Sequence, residues 1–298
     1  MKHILLTGAT GFLGSHLLEA LLRQGTRVSI LKRSTSDTWR IKHLLGDVDA
    51  FDIDMQPLED AFKPQKFAAV IHTACNYGRK GESAHSVVET NLLFGLRLLD
   101  AATFFNTDTF LNTDTFFNTD TLSYKYLNTY SLSKKQFSEW LKQRSNAIQI
   151  VNLKLEHMYG PKDDKAKFIP WLIYQLQQGV ESIPLTEGKQ LRDFIFVEDV
   201  VSAYLLALNK VGQLKSFTEF DVGTGKLSEV RSFVSEIYKA VKSQQPELKT
   251  VLDFGAILPH EGEMMGVEVD NTALKNLGWQ PTYSHEHGIK KTIEQYSI

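Results

Sequence analysis

The feature that most constrains the fold is a glycine-rich turn near the start of the chain. An apolar run at residues 4–6 predicts a buried strand, and it is followed by Thr7-Gly8-Ala9-Thr10-Gly11-Phe12-Leu13-Gly14. A helical pattern then covers residues 15–23. A strand, a glycine-rich turn and a helix in this order hold a dinucleotide pyrophosphate, because glycine lets the phosphate approach backbone N–H groups at the helix start. The alternative is a tight turn that binds no ligand.

The composition excludes several classes of protein. The chain has 298 residues, 42% of them hydrophobic and 23% charged, as expected for a globular protein with a substantial core. A net charge of −2 favours neither nucleic acid nor an acidic membrane surface. The apolar runs are too short for a signal peptide or a membrane span. The single cysteine, Cys75, excludes an internal disulfide and fits a reducing compartment, so we expect a cytoplasmic protein.

Strand-like and helix-like runs alternate along the chain. We expect strands at residues 27–31, 48–52, 68–74, 148–155 and 217–222. We expect helices at residues 86–102, 130–141, 168–178, 198–209, 228–243 and 271–277. This alternation predicts a doubly wound, Rossmann-type α/β fold with a parallel sheet.

The second lobe is expected to be interleaved with the first, because the sequence contains no low-complexity linker. We assign residues 1–158 to a dinucleotide-binding domain, to whose sheet residues 190–222 return. Residues 159–189 and 223–298 are assigned mainly to a smaller, C-terminal substrate lobe.

The end of the second predicted strand favours NADP(H) over NAD. Lys32, Arg33 and Ser34 stand where an NAD site usually has a carboxylate for the ribose 2′-hydroxyl. Two cations and a hydroxyl suit a 2′-phosphate instead. The alternative is a solvated basic loop. Asp52 and Ile53, at the end of the third predicted strand, are candidates for holding the adenine.

A histidine and a tyrosine–lysine pair are further candidates for chemistry. His72 is near the carboxyl end of a predicted strand, where open α/β sheets bind ligands, but we favour a packing or hydrogen-bonding role for it. Tyr130 and Lys134 are four residues apart and share one face of a predicted helix. A nearby ammonium favours the phenolate and lowers the tyrosine pKa, which makes the hydroxyl a usable proton donor or acceptor.

A hexapeptide occurs in three near-copies between the predicted sheet strands. The copies are Phe104-Phe105-Asn106-Thr107-Asp108-Thr109, Phe110-Leu111-Asn112-Thr113-Asp114-Thr115 and Phe116-Phe117-Asn118-Thr119-Asp120-Thr121. They are too few and too short for a solenoid, so we interpret them as a local duplication. Only one copy can occupy a given position in the sheet, and which threonine matters is therefore open.

These motifs together resemble the extended short-chain dehydrogenase/reductase superfamily. The glycine-rich start and the Tyr130-x-x-x-Lys134 pair are similar to its two best-known motifs. Three later segments agree with its Leu-Arg-x-x-Asn-x-Tyr-Gly-Pro, Arg-Asp-Phe-Ile-x-Val-x-Asp-Val and Asn-Val-Gly-x-Gly patterns, namely residues 153–161, 192–200 and 220–225. The resemblance therefore spans nearly the whole chain.

Within the superfamily, the chain resembles nucleotide-sugar 4-ketoreductases of the CDP-abequose and CDP-paratose synthase type. The resemblance lies in the Asn-Thr-Asp-Thr before Tyr130, in Lys154-Leu155-Glu156-His157 and in residues 167–172. It implies NADPH-dependent reduction of the C4 keto group of a nucleotide-linked 4-keto-deoxyhexose in deoxysugar (O-antigen-type) biosynthesis, with a CDP carrier favoured. It also implies a homodimer built from the helices at residues 86–102 and after Tyr130.

The resemblance implies specific roles for site residues. Tyr130 is the general acid, and Lys134 binds the nicotinamide ribose and tunes the tyrosine. We choose Thr115 for the hydroxyl that holds the substrate oxygen, because residues 110–115 best match the family's strand-then-serine segment; Thr121 is the rival. An ordinary strand or turn hydroxyl is the alternative at either position.

Further contacts are assigned on the same resemblance. The cofactor set comprises Thr7, Gly8, Thr10, Gly11, Phe12, Leu13, Gly14, Thr73, Ala74 and Asn91, together with the residues named above at the second and third strands. The substrate set adds His157, Phe168, Arg192 and His260; His157 replaces the family's usual asparagine. The alternatives are an Arg192–Asp193 ion pair and an exposed loop at His260. No residue is assigned to a metal.

Two other functions stay open. A nucleotide-sugar epimerase or dehydratase keeps NAD bound, whereas Lys32 and Arg33 favour a dissociable NADP(H). A dehydratase also needs an Asp-Glu pair beside the catalytic threonine, and Phe116 follows Thr115. A non-catalytic, dinucleotide-binding regulatory protein is the remote alternative, because relatives of that kind lose the tyrosine or the lysine.

Overall fold

The structure, a computed structural model, describes residues 2–63, 66–79, 81–104, 115–259 and 262–296. The first two copies of the hexapeptide lie almost entirely outside these residues, and so does His260. Within the described residues, no helix is long and apolar enough to cross a membrane.

The strands are short and distributed along the chain. They are β1 (His3–Thr7), β2 (Arg27–Lys32), β3 (Asp49–Asp52), β4 (Ala69–His72), β5 (Thr115–Thr121), β6 (Gln149–Leu155), β7 (His157–Tyr159), β8 (Ser182–Leu185), β9 (Leu191–Arg192), β10 (Phe194–Phe196), β11 (Phe217–Val222), β12 (Ser228–Glu229) and β13 (Val251–Phe254).

Helices separate most of the strands. They are α1 (Phe12–Arg23), α2 (Ala84–Val88), α3 (Phe94–Phe104), α4 (Thr129–Arg144), α5 (Phe168–Gln177), α6 (Val197–Asn209), α7 (Val230–Gln244), α8 (Thr272–Leu277) and α9 (His285–Tyr296). A single π-helical turn, Glu89–Leu93, joins α2 to α3.

Seven of the strands form one sheet, in the order β11-β6-β5-β4-β1-β2-β3. The pairings from β3 across to β6 are all parallel. The central strands are apolar and buried on both faces, as parallel strands covered by helices must be; Ile4, Leu5 and Leu6 are fully buried. The predicted doubly wound, Rossmann-type α/β fold is confirmed.

The third copy of the hexapeptide forms β5. The residue that begins the strand, Thr115, pairs with Ala69 at the start of β4, and Asn118 pairs with His72 at the end of β4. Three further residues extend beyond β4 and pair only with β6, ending at Thr121 opposite Leu155. At about 3.3 Å per residue, the two ends of this strand are about 20 Å apart.

The chain divides into two compact units. Unit 1 comprises Met1–Leu155 and Ala203–Asp221, and unit 2 comprises Glu156–Ser202 and Val222–Ile298. The return to the sheet is shorter than the expected span of residues 190–222. Residues 190–202 belong to unit 2, because β9 pairs with β12 and β10 pairs with β7, outside the seven-stranded sheet.

Each unit has its own core. In unit 1, Phe116 of β5 meets Phe137 of α4 edge-on at 6.2 Å between ring centroids, and both rings are fully buried. In unit 2, Phe194 and Phe233 stack face to face at 3.8 Å. Neither α9 nor the β8–β13 pair was predicted from the sequence. For β8 and β13 the reason is that four-residue strands carry too little periodicity to be recognised.

Candidate active site

The glycine-rich turn lies between β1 and α1, as its sequence predicts. Gly8 has a φ of 71°, and a Cβ there would lie 2.6 Å from both Ala74 N and Thr73 Oγ1. A Cβ on Gly14 would lie 2.1 Å from the Gly8 carbonyl oxygen. Glycine is therefore required at both positions by the packing of the turn itself.

The start of α1 suits an anion. Among the described residues, no side chain caps the helix at Gly11, and the first turn contains no acidic residue. A helix N-terminus of this kind offers N–H groups and the positive end of the helix dipole to a phosphate. The uncapped helix and the close-packed glycines fit the pyrophosphate of a dinucleotide.

Hydrogen bonds hold the ends of β1 and β4 together beside this turn. The Thr73 hydroxyl donates to the Thr7 carbonyl oxygen at 2.8 Å, and the Ala74 N–H donates to Thr7 Oγ1 at 3.3 Å. Thr7 Oγ1 also lies 2.8 Å from His72 Nδ1. Thr7, Thr73 and Ala74 thus lie together at the wall of the glycine turn.

His72 is a neutral, structural residue. It is fully buried against the rings of Phe94, Phe116 and Phe137. Burial, followed by the nearby charge of Lys134, lowers the His72 pKa to about 3. The packing role that we favoured fits this environment.

The residues expected at the adenosine end are already partnered. The Lys32 ammonium pairs with the Asp52 carboxylate, and Ser34 donates to Asp54 through its N–H at 2.8 Å and its hydroxyl at 2.6 Å. Arg33 is exposed. Arg40, which the sequence analysis missed, donates to the Thr10 carbonyl oxygen of the glycine turn at 3.2 Å. Its position in an irregular loop gave no periodic signal.

Asn91 is positioned by the π-helical turn between α2 and α3. Its fully buried amide accepts from Asn76 N at 2.7 Å and donates to the Asn76 carbonyl at 2.8 Å and to Ser133 Oγ at 3.0 Å. Ser133 in turn donates to the Tyr130 carbonyl oxygen at 2.8 Å. Asn91 therefore connects the loop after β4 to the first turn of α4, which carries Tyr130.

Tyr130 and Lys134 lie one turn apart near the start of α4. Asn128 caps this helix by accepting from Ser131 N at 2.8 Å. Lys134 is 1% exposed, and burial lowers its pKa. Burial raises the Tyr130 pKa well above its usual range. Burial therefore favours the neutral phenol of Tyr130 and the neutral amine of Lys134 over their charged forms.

Charged groups around Tyr130 act in opposite directions on its pKa. Cys75, Asp120 and Tyr204 each raise the Tyr130 pKa further, since a second negative charge nearby disfavours the phenolate. The guanidinium of Arg79 opposes them and lowers the Tyr130 pKa.

Thr115 does not lie where its proposed role requires. It is the first residue of β5, and its hydroxyl donates to Gln149 Oε1 at 3.1 Å. This position argues against Thr115 as the substrate-binding hydroxyl, because ligands of a parallel sheet bind at the carboxyl ends of its strands. The rival, Thr121, is at that end, where its hydroxyl donates to Ser123 Oγ at 3.0 Å.

A buried ion pair holds the end of β5. Asp120 is 2% exposed and lies 3.5 Å from Lys135 Nζ, which also donates to the Thr121 carbonyl oxygen. Asn152 of β6 donates to Asp120 at 3.2 Å. Lys135, the neighbour of Lys134, thus connects α4 to the strand end that carries Thr121.

A cavity of about 200 Å³ opens beside Tyr130. Its lining comprises Tyr77, Gly78, Arg79, Glu82, Val87, Asn128, Thr129 and Tyr130. The Tyr77 and Tyr130 rings lie 4.9 Å apart at 34°, and the Arg79 guanidinium lies 5.1 Å from the Tyr77 ring centroid. Apart from Tyr130, none of these lining residues was predicted from the sequence, although residues 77–82 follow β4, at the edge where parallel sheets bind ligands.

The described substrate candidates belong to unit 2. His157 is half-exposed, and its Nδ1 lies 2.5 Å from Glu156 Oε1. Phe168 begins α5, is 42% exposed and packs against Trp171 with 6.2 Å between ring centroids. Both side chains are accessible to a ligand, whereas His260 lies outside the described residues.

Arg192 is mostly buried within unit 2. It donates to the Leu191 carbonyl at 2.9 Å, and its guanidinium lies 3.6 Å from Glu263 Oε1. Asp193 accepts instead from Thr224 N at 2.9 Å and Gly225 N at 2.7 Å. The alternative of an Arg192–Asp193 ion pair is thus replaced by separate partners for the two residues.

The fold and this arrangement define a dinucleotide-binding α/β protein with a tyrosine–lysine pair. Residues 4–223, more than half of the chain, match the NAD dependent epimerase/dehydratase family. The chain belongs to this family, and the resemblance inferred from the motifs is confirmed.

Relatives align over nearly the full length. The chain is 33% identical over 301 residues to the CDP-abequose synthase of Salmonella typhimurium, with 99% of this chain and 98% of that protein covered. It is 25% identical over 328 residues to the dTDP-D-glucose 4,6-dehydratase of Mus musculus, with 99% and 88% of the two chains covered.

Solved structures share the fold. The UDP-N-acetylglucosamine 4-epimerase of Methanobrevibacter ruminantium M1, in complex with UDP-N-acetylmuramic acid, superposes with a TM-score of 0.83 at 19% identity, covering 99% of this chain and 98% of that one. The UDP-glucose 4-epimerase of Thermus thermophilus, in complex with NAD, gives a TM-score of 0.80 at 23% identity with the same coverage.

We predict that Gly14→Ala weakens dinucleotide binding by at least tenfold. The new methyl group would lie 2.1 Å from the Gly8 carbonyl, so the turn must shift away from the phosphate position. Gly46→Ala is the matched control, because a Cβ there meets nothing within 4 Å. Titration with NADP⁺ and NAD⁺ by calorimetry measures the effect, and equal affinities in the two variants would contradict it.

We also predict that His72 makes stability depend on pH. Its folded-state pKa of about 3 lies below the unfolded value of 6.5, so the unfolded state binds the extra proton and stability falls as pH falls through this window. The loss is about 1.4 kcal/mol per pH unit below 6.5.

Urea unfolding above and below pH 6.5 measures this dependence. His72→Gln should flatten the slope, whereas His43→Gln, at an exposed position, should leave it unchanged. Burial also lowers the pKa of His3, so some pH dependence of the free energy of unfolding remains in every variant. A slope that is unaltered in His72→Gln would show that His72 is not its source.

Proposed function

We propose that the chain reduces the C4 keto group of a nucleotide-linked 4-keto-deoxyhexose, with NADPH as the reductant. The observation that carries the proposal is the Tyr130–Lys134 pair on α4, in which Lys134 is buried and Tyr130 lines a cavity. The full-length similarity to CDP-abequose synthase supports the substrate class, a CDP carrier and a role in deoxysugar biosynthesis.

Tyr130 is the proton donor of this reaction. When bound, NADPH supplies the hydride, and the forming alkoxide takes the phenolic proton of Tyr130. Burial raises the Tyr130 pKa, which keeps the hydroxyl protonated before reaction. The Lys134 ammonium, one turn along α4, then stabilises the phenolate.

Thr121 holds the carbonyl oxygen in this proposal. It ends β5, and the Asp120–Lys135 pair fixes the strand end that carries it. In this proposal the Thr121 hydroxyl exchanges its hydrogen bond to Ser123 Oγ for one to the substrate carbonyl oxygen. A donor fixed at that position stabilises the negative charge that develops on the oxygen. Ser123 remains beside it as a second hydroxyl.

The cofactor preference rests on the residues after β2. Among the described residues there, Arg33 is exposed and Arg40 lies against the glycine turn, so two guanidinium groups are near the expected ribose. Asp52 and Asp54, which lie beside the end of β2, accept from Lys32 and Ser34, and Asp37 accepts from Trp39 N. This distribution supports a 2′-phosphate over a free 2′-hydroxyl.

Net reduction is favoured over epimerisation or dehydration. An epimerase returns the hydride and retains its NAD, whereas a reductase exchanges its cofactor after each turnover. The residue that precedes Thr121 is Asp120, which is buried in a pair with Lys135, and Leu122 follows Thr121. The acid–base pair of a dehydratase is therefore not supported. A cytoplasmic homodimer remains part of the proposal on the family resemblance.

The experiment that tests the function follows NADPH absorbance with 4-keto-6-deoxy and 4-keto-3,6-dideoxy sugars on CDP, dTDP and GDP. We expect turnover with one carrier, faster with NADPH than with NADH. Tyr130→Phe should lower kcat by about a hundredfold to ten-thousandfold through loss of the proton donor. No turnover, with tightly bound NAD retained through purification, would favour the epimerase instead.

The two rival threonines give a paired prediction. Thr121→Val should lower kcat by about a hundredfold, because the hydroxyl that holds the oxygen is lost while the volume is kept. Thr121→Ser should restore most activity. Thr115→Val removes only the bond to Gln149, so its kcat should match the wild type while stability falls by about 1 kcal/mol. The reverse ranking of the two valine variants would return the role to Thr115.

A further inference from the structure

The loop after β4 places a second cation within reach of the proposed acid. Arg79 lies over the Tyr77 ring at 5.1 Å, and the Tyr77 ring lies against the Tyr130 ring at 4.9 Å. All three residues line the cavity beside α4. The Arg79 guanidinium and the Tyr130 ring are therefore at most about 10 Å apart, and the Tyr77 ring contacts both.

We propose that Arg79, held by Tyr77, is a positioning residue that stabilises the Tyr130 phenolate as the proton leaves. The inference rests on the proposed function, because it takes Tyr130 as the acid. It adds a specific source of charge that the tyrosine–lysine motif does not contain.

The surroundings of Tyr130 explain why a second cation is useful. The charges of Asp120 on β5, Cys75 after β4 and Tyr204 on α6 each raise the Tyr130 pKa and so oppose a negative charge on its hydroxyl. Burial disfavours that charge as well. The same hydroxyl must become an anion during the proposed reaction.

Burial works against the positive charge of Lys134. This lysine is almost fully buried, and burial lowers its pKa. An arginine keeps its charge at any pH at which the protein is folded. Arg79 therefore supplies a constant positive potential on the cavity side of Tyr130, and the direction of its effect on the Tyr130 pKa is downward.

The test compares Arg79→Met with Arg79→Lys across the pH profile of the reduction. Tyr130 must be protonated to react, so kcat falls above its pKa. In Arg79→Met we expect this basic limb to move up by about half to one pH unit, and plateau kcat to fall several-fold because the acid is weaker. KM should change little, and Arg79→Lys should restore both the limb and the plateau.

Arg23→Met is the matched control, since the Arg23 side chain is 71% exposed and its guanidinium lies 3.5 Å from Glu19. The pH profile of kcat in Arg23→Met should match that of the wild type. A rise in KM with an unchanged basic limb would overturn the inference and make Arg79 a substrate contact. An unchanged profile in Arg79→Met would overturn it as well.

A second measurement separates this inference from the proposed function. Tyrosine labelled with carbon-13 at Cζ reports each phenol by NMR, and Tyr130→Phe identifies the Tyr130 signal in the NADP⁺-saturated protein. We expect that signal to titrate at higher pH in Arg79→Met than in the wild type, whether or not any keto-sugar turns over. Identical titration of that signal in both proteins would refute the role of Arg79.

Discussion

The parallel pairing of β1, β4 and β5 is the constraint on which the site depends. Parallel strands bring their carboxyl ends to one edge, and there the register aligns Thr7 with His72 and His72 with Asn118. The glycine turn, the loop after β4 and the end of β5 therefore converge without any motif that specifies their distance. Because β5 runs three residues past β4, Thr121 lies beyond the end of β4 and pairs with Leu155 of β6.

Burial determines the chemistry at this edge. His72 is kept neutral by the aromatic rings around it, and Lys134 is taken almost completely out of water. Around Tyr130 the same desolvation works against an anion, so the charges that remain nearby decide how readily its proton moves. Arg79 opposes Asp120 and Cys75 in that balance, which makes the site sensitive to single charges.

Some features could be predicted and others could not, for identifiable reasons. The glycine turn and the Tyr130–Lys134 pair were found because their residues are close in sequence and their spacing follows helix geometry. Local sequence could not separate Thr115 from Thr121, because three near-identical hexapeptides have equal propensity for a strand. Residues 190–202 were placed in the sheet although β9 and β10 pair elsewhere, since strand partners are not encoded in a local pattern.

The sequence by itself determined the dinucleotide-binding turn, the alternating α/β order and the tyrosine–lysine pair, all of which rest on local spacing. Only the tertiary structure decided which hexapeptide enters the sheet, because pairing with β4 and β6 sets that register. It also brought Tyr77, which carries Arg79 over its ring, against Tyr130, more than fifty residues away in the chain. Contacts between residues so far apart in sequence depend on how whole helices and strands pack, and no local pattern specifies that packing.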